Sequence, residues 1–186
     1  MLPMNIVGVS KMVKSNKIHY FIDMDGVLCD HDLQSRAFDV KMEKDANSDT
    51  GIAYEISDYP EKFFRTMPPM TDLHLFQDYL KGIDKDRVHI LTAVPKRRTS
   101  ALSVFDEKKE WIKEYFPFIK STNIHIVFRE HKQFFAKEHP HAILIDDNKN
   151  NINEWKRAGG IAIWHKDALS SIRKAMAVHE VLWDKI

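Results

Sequence analysis

Ile18-His19-Tyr20-Phe21-Ile22-Asp23-Met24-Asp25-Gly26 is the stretch from which the rest of the chain can be read. A short run of aromatic and β-branched residues reads as a strand buried on both faces, as in a parallel sheet. Two carboxylates spaced two apart follow it directly, and would share one face if the strand continued. Gly26 instead allows a sharp turn that brings backbone N–H groups toward an anion. Acids beside such a turn suit chemistry on a phosphate with a divalent cation. Hard cations take carboxylate oxygens, and magnesium takes one or two of them plus phosphate oxygens and water.

Outward from this stretch, four more apolar runs recur: Val88–Leu91, Ile124–Phe128, Ala142–Ile145 and Ile161–Trp164, the last after Gly159-Gly160. Between them lie helical patterns. Thr71 to Leu80 places Leu73, Phe76 and Leu80 on one face, with Thr71 or Asp72 as cap. Ser103 to Phe116 aligns Val104, Lys108, Trp111, Ile112 and Tyr115. Asn150 to Ala158 ends at Gly159, and Ala168 to Val178 closes the pattern. Strands alternating with helices predict an α/β fold, a doubly wound, Rossmann-like parallel sheet whose reactive groups gather beyond the carboxyl ends of the strands. Polar residues stand at those ends: Asp23-Met24-Asp25, Thr92, Arg129 and Asp146-Asp147. The last pair supplies further carboxylates for a cation.

The rhythm breaks after the first strand, where a helix candidate (Leu33 to Lys44), a polar loop (Asp45 to Gly51) and the aromatic, proline-rich Tyr54 to Pro69 intervene. A connection this long folds into something of its own. The expected organisation is an extension over residues 1–17, a core over 18–30 and 86–186, and a small helical cap over 31–85 inserted after the first strand.

Composition narrows the function classes. The chain has 186 residues with 28 Lys plus Arg against 27 Asp plus Glu, a formal charge of +1. No basic excess exists to hold a polyanion, so non-specific nucleic-acid binding is not expected. Cys29 is the single cysteine, which excludes an internal disulfide and a cysteine-rich zinc site. The ten histidines are scattered without ligand spacing, and no metal is assigned to them. No apolar run approaches the roughly 20 residues that span a bilayer. The opening MLPMNIVGVSKMVKSNK lacks a long apolar segment and a small-residue cleavage site, so it does not read as a signal peptide. The expectation is a reduced, cytoplasmic, enzyme-sized domain without membrane contact.

Asp23-Met24-Asp25-Gly26-Val27-Leu28 resembles the first motif of the haloacid dehalogenase (HAD) superfamily of phosphohydrolases. Ile90-Leu91-Thr92 resembles its second motif, Lys132 its third and Leu144-Ile145-Asp146-Asp147 its fourth, in the family's order and with an insertion where a C1-type cap belongs. Phe63 to Pro69, Thr92 to Lys96 and Lys108-Lys109-Glu110-Trp111 are similar to the 5'(3')-deoxyribonucleotidases of the type C 5'-nucleotidase group. The resemblance runs from about Ile18 to Trp164. Ala93 stands where the family often has Ser, and Lys137 is the alternative to Lys132 as third-motif lysine.

The resemblance implies a HAD-like core and a magnesium-dependent phosphomonoesterase acting on a small-molecule phosphomonoester, a deoxyribonucleoside monophosphate. Asp23 would attack phosphorus to form an aspartyl-phosphate, and Asp25 would protonate the leaving oxygen and later deprotonate water. Mg2+ would be held by Asp23, the Asp25 carbonyl and Asp147, with Asp146 behind them orienting Lys132. Thr92 and Lys132, with Met24, Ala93 and Lys96, would bind the phosphate. The cap aromatics Tyr54, Tyr59, Phe63 and Phe64 read either as a face that stacks a nucleobase or as the core of the small cap. A HAD phosphatase for a sugar phosphate or a polynucleotide end shares this chemistry. A phosphate-binding regulatory module without turnover is the reading from a different class.

Overall fold

The computed structural model describes residues 18–38, 59–95, 101–139 and 141–183. Five strands form one parallel sheet: β1 (Tyr20–Ile22), β2 (Val88–Val94), β3 (Ile124–Phe128), β4 (Ile143–Asp146) and β5 (Ile161–Trp164), in the order β3-β2-β1-β4-β5. Six helices are described: α1 (His31–Ala37), α2 (Leu73–Lys81), α3 (Ala101–Tyr115), α4 (Lys132–Glu138), α5 (Lys149–Arg157) and α6 (Ala168–Trp183). The chain moves outward from β1 to β3, then returns to the other side of β1 for β4. That reversal is where doubly wound sheets open a crevice.

Alternation along the strands sorts the core into two layers. Tyr20, Ile22, Val88, Ile90, Ile143 and Ile145 pack on one face with Phe76 and Leu80 of α2, Trp111 and Ile112 of α3, and Ile172 and Ala175 of α6. Phe21, Leu91 and Leu144 face the opposite way, against Ala136 of α4 and Trp155 of α5. Helices therefore cover both faces, as the near-continuous apolar strands require.

The helix starts follow local hydrogen-bond needs. Asp30 accepts from the Leu33 amide at 2.8 Å and Asn148 from the Asn150 amide at 2.9 Å, which satisfies two orphan donors. Asp72 precedes α2, but its carboxylate caps another helix by accepting from the Ala168 amide at 2.8 Å. The α2 helix accordingly begins at Leu73. Helix α6 runs on to Trp183, past the expected stop at Val178, and α4 adds a helix to those expected, its two turns being too short to show a periodicity. Of the segment read as a cap, residues 39–58 lie outside those described, and Leu73, Phe76, Tyr79 and Leu80 of α2 join the main core. Residues 1–17 also lie outside. Among the described residues no helix is long and apolar enough to cross a membrane.

Strand register also gathers histidines that are far apart in sequence. Phe21 pairs with His89 and Leu91 with His125. The His19 Nδ1 lies 2.9 Å from the His89 Nε2, the His89 Nδ1 lies 3.1 Å from the His125 Nε2, and the His139 ring lies tilted against His19 at 4.3 Å between centroids. Burial, then neighbouring imidazoles, push His89 down to about 3 and His19 to about 4. These rings are neutral in the fold, whereas an unfolded histidine titrates near 6.5. Stability is therefore complete above pH 6.5 and falls as acid protonates the unfolded chain first. The loss between pH 7 and pH 5 is expected to be about 2 kcal/mol for His89 alone. Urea midpoints at the two pH values check this in wild type and His89→Gln, which keeps hydrogen-bonding capacity but does not titrate. The acid loss must be smaller in the variant.

Candidate active site

The crevice between β1 and β4 fixes two acids side by side. Ile22 pairs with Ile145, and the Asp23 amide continues the ladder to the Ile145 carbonyl at 2.9 Å, so Asp23 and Asp146 follow on adjacent strands. Asp147 completes the group: one carboxylate oxygen from each of the three lies within 4.8 Å of the others. The turn after Asp23 is closed by Leu28 and Cys29 amides on the Met24 carbonyl at 2.8 and 3.1 Å, with Gly26 at φ +75°. Glycine is needed there twice over. Its φ lies in the left-handed region, and a Cβ would overlap the Asp147 carboxylate packed against the turn.

Lys132, 2% exposed, stands at the start of α4 with its Nζ 2.9 Å from Asp23 Oδ1 and 2.8 Å from Asp146 Oδ2. Burial works to lower its pKa, but Asp146 and Asp23 overrule it and raise the ammonium well above its usual range. Lys137, the alternative read from sequence, instead lies over the Phe134 ring at 5.5 Å. Asp146 is saturated with donors. Its Oδ1 accepts from the Asn148 amide and Asn151 Nδ2 at 2.8 and 3.0 Å, and its Oδ2 from Asn151 Nδ2 and Lys132. Arg129, at the end of β3, holds Asn151 Oδ1 at 3.2 Å and pairs with Glu154.

Asp147 differs. No side chain among the described residues donates to its carboxylate, and burial followed by the Asp146 charge pushes its pKa up to about 7. Burial also raises Asp23 well above the carboxylate range, against the pull of Lys132. Three crowded carboxylates with one ammonium form a donor set that fits a hard divalent cation. Asp23, Asp147 and, less directly, the saturated Asp146 would hold it.

The Asp25 carboxylate turns away from this group to Lys108, with which it forms a close ion pair. Lys108 is fully buried on α3 and also donates to Thr92 Oγ1 at 2.9 Å and the Ala93 carbonyl at 2.8 Å, with Phe64 beneath it at 4.8 Å. Burial favours a proton on Asp25, but Lys108, His31 and Lys132 together hold its pKa below the usual range. The sequence reading has Asp23 ionised and Asp25 carrying the proton. Among the protein's own groups, without a cation at Asp23, burial raises Asp23 and Asp25 is lowered by Lys108. Its signal lay in the sequence nonetheless. It shares the apolar stripe of α3 with Trp111 and Ile112, where a lysine must find buried partners.

Thr92 is buried within β2, which continues two residues past it, and its hydroxyl faces Lys108. The Met24 amide donates to Asp23 Oδ1 at 2.8 Å and the Gly26 amide to the Cys29 carbonyl at 2.9 Å, so both amides already have partners in the turn. Phe63 and Phe64, 0% and 2% exposed, are core residues in a ring cluster with Tyr59 and His31. Their segment is tied to α3 by Glu107, which accepts from the Lys62 and Phe64 amides, and by the Trp111 indole on the Met67 carbonyl. Lys96 lies outside the described residues.

No family model matches this chain, and no curated protein matches it. Among solved structures, the HAD domain of effector protein Lem4 from Legionella pneumophila is similar over 82% of this chain and 88% of that one, at 13% identity and a TM-score of 0.36. A likeness of that degree assigns neither a family nor an activity.

Proposed function

We propose that this protein is a magnesium-dependent phosphomonoesterase of the HAD type, acting on a nucleotide through an aspartyl-phosphate. The observation that supports it most directly is the buried Lys132 ammonium between Asp23 and Asp146, beside an Asp147 carboxylate that lacks a side-chain donor among the described residues. Structural acids have no need of this crowding, since it costs desolvation of the Lys132, Asp23 and Asp146 charges. The motifs from Asp23 to Asp147 support the HAD assignment, and the segments around Phe63, Thr92 and Lys108 support the 5'-nucleotidase class.

In this reading the Asp23 oxygen not engaged by Lys132 attacks phosphorus, and the bond from phosphorus to the leaving oxygen breaks. The leaving oxygen takes a proton from the Asp25–Lys108 pair. Water then attacks phosphorus, gives its proton to that pair and releases phosphate and free Asp23. Lys132 and Thr92 would contact the phosphoryl oxygens on which negative charge grows. Asp23 and Asp147 would hold a divalent cation, whose positive charge would favour ionised Asp23 and attract the substrate phosphate.

Phosphate release from a panel of nucleoside monophosphates, sugar phosphates and 3'-phosphorylated oligonucleotides tests the reading. Release is expected with magnesium, to fall to background with a chelator, and to be fastest on nucleotides. A sugar phosphate turned over faster than every nucleotide would overturn the substrate class, and no release from any of them would overturn the enzyme reading.

A further inference from the structure

The end of β5 carries a feature that the chemistry above does not use. Trp164 is 36% exposed, pairs with Asp146 in the β4–β5 register, and donates its indole N–H to the Asp147 carbonyl at 2.8 Å. This bond ties the ring to the backbone of Asp147, one of the three clustered acids. Two ammonium groups sit over that one ring: Lys166 Nζ at 3.5 Å and Lys149 Nζ at 4.5 Å from its centroid. Both lysines are exposed, and neither forms a salt bridge among the described residues.

Two like charges gathered on one indole repel each other, and each ring contact at an exposed site is worth only about 0.5–1 kcal/mol. A doubly charged anion that contacted both ammonium groups beside the ring would relieve the repulsion. The nearby carboxylates cannot act as that partner: Asp146 is saturated by its own donors, and Asp147 faces the acid cluster.

We infer that Lys149, Trp164 and Lys166 form a subsite for a second phosphate, so that the substrate is a small nucleotide phosphorylated at two positions. This rests on the function proposed above and narrows it. A long polyanion is disfavoured by the formal charge of only +1.

The test compares adenosine 3',5'-bisphosphate, adenosine 5'-monophosphate, a 3'-phosphorylated oligonucleotide and p-nitrophenyl phosphate in wild type and in Lys149→Ala/Lys166→Ala. Wild type is expected to show a KM about tenfold lower for the bisphosphate than for the monophosphate, as one charge-assisted contact provides. The double variant is expected to lose that advantage with kcat intact and with p-nitrophenyl phosphate turnover within about twofold of wild type. Calorimetric titration of bisphosphate into Asp23→Asn protein, with and without the two lysine changes, reads the same difference without turnover. Equal KM values in wild type, or an advantage that survives the double substitution, would overturn the subsite while leaving the phosphatase reading intact. An oligonucleotide preferred over the bisphosphate would overturn the small-substrate assignment. No turnover of any substrate would remove both.

Discussion

Asp23→Asn is expected to lower phosphate release on the order of 10⁴-fold or more, the scale seen when a nucleophile is deleted from a group that acts as a unit. Folding is expected to persist. Asp23 is buried among like charges, and burial already disfavours its ionised form. The amide is nearly isosteric, removes one charge from the crowd and leaves Lys132 its second partner, Asp146, at 2.8 Å. The thermal midpoint should therefore stay within a few degrees of wild type while turnover disappears. Circular dichroism melts beside a phosphate-release assay check both halves. Turnover within tenfold of wild type would mean that another group attacks phosphorus.

Lys132→Met is the substitution expected to damage stability most. It keeps the bulk of the side chain but leaves Asp23 and Asp146 buried with no cation of the protein's own. Breaking a buried pair this way costs about 3–5 kcal/mol. At about 2–4 °C per kcal/mol for a domain of this size, the midpoint should drop by roughly 10 °C. The sign with pH follows from the charges. The wild-type lysine has a raised pKa, so its contribution is present below 10.5 and fades only above that. In the variant the stranded carboxylates are raised instead, so acidification should narrow the gap between variant and wild type. Lys137→Met, on an exposed side chain over Phe134, should move the midpoint by less than about 1 °C. Calorimetry on the two variants at neutral and acid pH separates the lysines. Equal effects would show that Lys132 does not carry the acids.

Much of this site is legible residue by residue. Asp23, Asp146 and Asp147 follow apolar runs immediately, and an acid at the end of a buried strand has little to do but meet a ligand or a cation. Gly26 stands out for the same reason, since a turn that tight needs its backbone. Lys108 was harder to read. Its place on the apolar stripe of α3 shows that it is buried, but its partners Asp25 and Thr92 lie 83 and 16 positions away, and no local pattern points to them. The histidines were harder still: with 70 positions between His19 and His89, their spacing looks random until strand pairing brings them together.

Patterns of apolar and polar residues determined that this chain folds as strands alternating with helices, that the sheet is parallel, and that its chemistry lies at the carboxyl ends. The fold follows from periodicity and from the burial of both sheet faces, which act over a few residues at a time; what lies at the carboxyl ends is the cluster of acids. The tertiary structure alone decided which charges meet. Strand order places Asp23 beside Asp146, α4 brings Lys132 to both, and α3 delivers Lys108 to Asp25. The physical reason is that electrostatic energies depend on separation in space and on exclusion of water. Both are set by packing between segments distant along the chain.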